Sequence, residues 1–134
     1  MTESTSSQQD KLELSLFLLR LGVFIVMLVW TVDKFTDPGH GANILAGFYS
    51  ITAGENIVMA MGAVELVIIL AFMAGMWKKY TYGFVLILHG LTTLSSWKQY
   101  LDMNLLFYAS WPMFAACIAL FLLRDADVKF TLGK

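Results

Sequence analysis

Four apolar runs constrain this chain most. They cover about 12–32, 57–77, 80–97 and 105–123, and a helix needs roughly 17–25 residues to cross the hydrocarbon core of a bilayer. Lipid offers no partner for backbone N–H and C=O groups, so a run of this length can only be a helix. Composition agrees, because 58% of the 134 residues are hydrophobic and 14% are charged, whereas a soluble domain carries about 25% charged residues. The sequence therefore predicts an all-α, integral membrane four-helix bundle forming a single domain over 12–127. A polar N-terminal tail (1–11), an outer loop (33–56) and a C-terminal tail (128–134) complete the chain. The opening MTESTSSQQDK has neither the basic start nor the small-residue cleavage site of a secretory signal. The first run is accordingly expected to remain as a helix.

Orientation follows from the basic residues. With both termini inside, Lys11, Lys78, Lys79, Arg124, Lys129 and Lys134 face the cytoplasm, and only Lys34 and Lys98 lie outside. This bias predicts an N-in/C-in topology. Trp30, Trp97 and Tyr100 then fall at outer helix ends, and Trp77, Tyr80 and Tyr82 at inner ends, where amphipathic rings belong. The second and third runs meet at Lys78-Lys79 in a tight turn. The outer loop opens on the turn-forming Asp37-Pro38-Gly39-His40-Gly41 and continues into a mildly apolar stretch, 42–52, suited to a short surface helix or a re-entrant cap.

The net charge of −1 excludes a nucleic-acid partner, which selects basic stripes. Cys117 is the only cysteine, so neither a disulfide framework nor a thiolate metal knuckle is expected. The methionines do not converge with His40 or His89 on any recognised ligand spacing, so no metal site is expected.

Three ionisable residues interrupt the apolar runs: Arg20, Glu65 and His89. Counted from the inner edge at about 1.5 Å per residue, Arg20 lies roughly 12 Å deep, Glu65 roughly 18 Å and His89 roughly 14 Å. A charge at that depth costs about 2.5–3.5 kcal/mol on insertion scales. Arg20 and Glu65 are therefore expected to face the interior and pair with each other, with His89 beside them able to exchange protons near neutral pH. Tyr82, His89, Thr93 and Ser96 form one polar stripe, and Arg20, Met27, Thr31 and Lys34 another. Asp33 and Lys34 would guard the outer mouth, and Tyr82, Thr93, Ser96, Tyr108 and Trp111 would line the cavity. Pro112 is expected to kink the fourth helix. Such a site suits proton handling or hydrogen bonding to a polar headgroup such as a quinone carbonyl. The same charges also serve as structural clamps that fix helix register.

Leu18-Leu19-Arg20-Leu21-Gly22 followed by Asp33-Lys34-Phe35, and Gly62-Ala63-Val64-Glu65-Leu66 followed by Gly75, resemble the DoxX-like family of small four-helix membrane proteins over about 15–127. The resemblance implies a protein of the bacterial or archaeal cell (inner) membrane, associated with quinone-linked or thiol redox chemistry. Arg20, Lys34 and Glu65 carry over from it; His89 is added by the depth argument alone. On this reading the chain is a non-catalytic or quinone-interacting subunit of an oxidoreductase. It has no intrinsic cofactor, quinone is the candidate ligand, and its partners are the lipid bilayer and either other proteins of a membrane complex or further copies of itself. Two further classes stay open: a small transporter or channel component using the polar seam, and a structural assembly subunit.

Overall fold

A computed structural model describes residues 2–132. Met1, Gly133 and Lys134, one of the six basic residues assigned to the inner side, lie outside the described residues. The described chain is all-helical, and three helical stretches are long and apolar enough to cross a membrane by length and composition.

Helix α1 runs unbroken from Thr2 to Thr36, 35 residues, or about 52 Å at 1.5 Å per residue. The polar stretch before Leu12 thus continues the helix, helped by Gln9 Nε2 donating to Glu13 Oε1 one turn on at 3.0 Å. The turn-rich Asp37-Pro38 ends α1 and begins α2 (Pro38–Tyr49). Asp37 is its N-cap, its side chain accepting from the His40 backbone N–H at 3.3 Å, and Pro38 needs no hydrogen-bond acceptor in the first turn. The helix allowed for in the outer loop is present, although it starts at the turn sequence rather than after it.

Helix α3 (Glu55–Met73) stops four residues short of the expected boundary at Trp77. Gly75 adopts φ +70, and the N–H groups of Gly75 and Met76 close back onto the carbonyls of Phe72 and Ala71. This is a Schellman end, which needs a glycine at the left-handed position. The tight turn is therefore 74–77, and Lys78 and Lys79 open α4 (Lys78–Ser95). Short α5 (Trp97–Leu101) and α6 (Leu105–Tyr108) precede α7 (Ser110–Leu122). Pro112 is the physical reason for the break at Ala109: it has no N–H to donate to the Tyr108 carbonyl four residues earlier, and a proline ring is not accommodated against a carbonyl at that spacing in a regular helix. It begins a helix rather than kinking one.

Helices α1, α3, α4 and α7 pack in a closed cycle, each against the next, while α2 lies against α1 and α3. The α1 stripe Leu16, Arg20, Val23, Met27 and Thr31 faces inward with Ile69 and Phe72 of α3, Tyr82 and Val85 of α4, and Cys117 and Leu120 of α7. A Cβ at Gly62 would come within 3.1 Å of Lys34 Cβ, so this glycine lets α1 and α3 approach at the level of Lys34. The outward faces carry Ile25, Val29, Val64, Val67, Ile87, Leu91 and Leu94, all more than half exposed, while charged and hydroxyl side chains are buried. Water-soluble bundles show the opposite distribution.

Candidate functional site

Of the ionisable and hydroxyl residues that the sequence places in the interior, Arg20, Thr31, Glu65, Tyr82, His89, Thr93 and Ser96 are buried, whereas Lys34 is partly exposed. They do not meet at one site. They form three separate clusters, and the expected Arg20–Glu65 pair does not exist.

At the end of the bundle expected to be inner, Arg20 Nη1 binds Asp127 Oδ1 at 2.6 Å, both side chains wholly buried. Tyr82 donates its hydroxyl to the other oxygen, Oδ2, at 2.6 Å. Arg20 Nη2 reaches the carbonyls of Lys129 (2.7 Å) and Phe130 (3.2 Å), and Lys78 Nζ donates to the Asp127 carbonyl. The guanidinium carbon lies 5.4 Å from the Phe17 ring centre, and Phe17 meets Phe130 edge-on at 4.8 Å. The segment after α7 thus folds back beneath the bundle as a plug, fastened also by Leu132 N–H to Ala74 O at 2.7 Å. Thr131 sits where a side chain on Gly75 would go. Burial draws the Lys78 ammonium, at the first position of α4 and ahead of the third apolar run, below the usual lysine range, and the Asp127 charge opposes this.

At the end expected to be outer, Thr31 donates to Glu65 Oε1 at 2.6 Å, and Lys34 Nζ lies 3.3 Å from Oε2 and 3.4 Å from Oε1. Glu65 is nearly closed off, whereas the Lys34 side chain is 20% exposed. Beside this pair, Asp33 Oδ2 binds His40 Nδ1 at 2.6 Å, and the imidazole stacks 6.1 Å from Trp30. Asp33 and Lys34 therefore do stand together at one end of the bundle, where the sequence put the outer mouth, and His40 joins them.

The third cluster lies between α4 and α7. His89 Nε2 donates to the Ser110 carbonyl at 3.1 Å. Tyr100 donates to the Thr93 carbonyl at 2.7 Å and shares a 2.8 Å hydrogen bond with Ser110 Oγ. Thr93 and Ser96 spend their hydroxyls on the carbonyls of His89 and Thr92 in their own helix. The cavity-lining roles expected of Tyr82, Thr93, Ser96, Tyr108 and Trp111 are not what the structure gives them: Tyr82 belongs to the inner cluster, and Tyr108 and Trp111 are exposed.

The depth argument fails for a physical reason. It sets the inner edge at Leu12 on the first helix and at Trp77 on the second, yet Arg20 shares the Asp127 cluster with Lys78 at the start of α4. Arg20 therefore lies at the same end of the bundle as the start of α4. Along α1, the residues that hold Glu65 come 11 and 14 positions after Arg20, or about 16 and 21 Å further out. Asp127 was missed because it follows the last apolar run, at the very edge of the domain, where no partner is expected. The alternation of Ala126, Val128, Phe130 and Leu132 with polar neighbours is the signal that this tail packs.

These positions also decide whether a quinone ring fits between Arg20, Glu65 and His89. It does not, because the three sit in different clusters and each is held by protein partners. Lys34, by contrast, is a partly exposed cation on a 3.3 Å ion pair, and the half-exposed Trp30 ring stacks on the neighbouring His40. Comparison with family models, curated proteins and solved structures finds no match to this chain.

Proposed function

We propose that the chain is a DoxX-like membrane subunit, with four spans over about 12–32, 57–77, 80–97 and 105–123 and both termini in the cytoplasm. In this reading it serves a redox partner and contacts a polar ligand at its outer mouth. The observation that carries the proposal is the contrast between its two ion pairs. Arg20–Asp127 is short at 2.6 Å and fully enclosed, whereas Lys34–Glu65 is 3.3 Å long with Lys34 20% exposed. The first is built to hold the bundle shut, and the second leaves a donor free to turn outward.

At this mouth Lys34 donates to a carbonyl or carboxylate oxygen of the ligand. Glu65, fixed by Thr31, keeps the ammonium in place, and the Asp33–His40 pair stands beside it. A quinone headgroup is the candidate, and the electrons come from the partner. Gentle native purification followed by mass spectrometry of the bound small molecules tests this. A quinone should accompany the native chain and be lost from Lys34→Met; its retention in both Lys34→Met and Glu65→Gln overturns the assignment. A second reading, a subunit whose charges only set packing, draws support from the fully enclosed Arg20–Asp127 pair. It is favoured if a partner complex stays fully active in both variants.

A further inference from the structure

An apolar groove of about 360 Å³ lies between α3 and α4, lined by Val67, Ile68 and Ala71 on one side and Trp77, Tyr80 and Phe84 on the other. It is distinct from the three polar clusters and none of its walls belongs to the outer mouth. Trp77 and Tyr80 are 60% and 73% exposed, so the groove is rimmed by two amphipathic rings just beyond the α3–α4 turn. Lys79 stands at that rim, its Nζ 6.0 Å from the centre of the Tyr80 ring. Lys78 is turned inward onto the Asp127 carbonyl, whereas Lys79 has no carboxylate partner among the described residues.

We propose that this groove is a binding site for one anionic phospholipid, with its phosphate at Lys79 and an acyl chain along Val67, Ala71 and Phe84. Charge decides between occupants. A groove with purely apolar walls accepts any hydrocarbon chain, but an unpaired ammonium at the rim selects a chain that ends in a negative headgroup. A neutral helix of a partner protein would leave that cation without a counter-charge. Aromatic rims at the interface hold such a lipid at the depth where its headgroup meets the lysine. The site rests on the membrane location of the chain, and not on the ligand assigned to the outer mouth.

Native mass spectrometry of the full-length chain in detergent, offered equal amounts of phosphatidylglycerol and phosphatidylcholine with identical chains, tests the proposal. The first lipid bound should be predominantly phosphatidylglycerol. Lys79→Gln should weaken that binding about fivefold without changing phosphatidylcholine binding, and Ala71→Phe, which fills the groove, should remove the first adduct of either lipid. Equal binding of the two lipids by the native chain, or an unchanged preference in Lys79→Gln, overturns the site. Alkaline extraction separates this failure from that of the membrane reading: a chain washed out of membranes overturns both, whereas an inserted chain with no lipid preference overturns only the groove.

Discussion

Replacing Asp127 by Ala removes the acceptor on which the inner end of the bundle converges. Arg20 Nη1 and the Tyr82 hydroxyl, each 2.6 Å from the carboxylate, lose their partner together. The guanidinium keeps only the carbonyls of Lys129 and Phe130, and those belong to the same segment that Asp127 anchors. Removing one member of a fully buried ion pair costs about 3–5 kcal/mol. The stranded Tyr82 hydroxyl falls within that figure, because groups in one network are not additive. Denaturant unfolding in detergent micelles measures the loss, which is a large share of the ~5–15 kcal/mol typical of folded domains. The double variant Arg20→Met/Asp127→Leu supplies the control. It replaces both charges with apolar groups and should recover at least about half of the loss, since the penalty comes from the unpaired charge and not from the missing attraction. An Asp127→Ala protein within about 1 kcal/mol of the native chain would refute the reasoning, because the pair would then behave as a solvated surface bridge.

Three further outcomes follow from the same geometry. Glu65→Ala should cost about 1.5–3 kcal/mol, less than Asp127→Ala, because Lys34 already reaches solvent while Arg20 does not; the same unfolding assay ranks them. Gly75→Ala should destabilise by about 1–2 kcal/mol through its left-handed backbone alone, and the added methyl should displace Thr131 and loosen the plug. Limited trypsin digestion should then cut after Lys129 faster than in the native protein. Tyr82→Phe should cost about 1–3 kcal/mol by leaving Asp127 Oδ2 without its donor, and should recover part of the loss in an Asp127→Leu background, where the hydroxyl is stranded.

Much of this molecule was legible in its residues. The apolar runs gave the helices, and the expense of a charge in lipid correctly sent Arg20, Glu65 and His89 inward. Pairing was not legible, because burial says that a charge needs a partner without naming it. Arg20 found a carboxylate outside every apolar run, and Glu65 found its cation on the next stretch of α1. A helix of 35 residues, longer than a span requires, also has no fixed zero from which to count depth, so Arg20 and Glu65 looked level when about 16 to 21 Å of α1 separates Arg20 from the residues holding Glu65. The ends of α3 and α6 were set by backbone chemistry at Gly75 and Pro112, which a count of apolar residues does not register.

Cysteine labelling with a membrane-impermeant maleimide tests most directly whether the Lys34–Glu65 and Arg20–Asp127 ends of the bundle lie on opposite sides of a membrane. The native Cys117 is buried and gives a silent background, and Asn43 and Lys129 are exposed near the two ends. In intact cells, Asn43→Cys should be labelled and Lys129→Cys should remain unlabelled until the membrane is permeabilised. Labelling of both from the same side, with the membrane intact, would contradict the account.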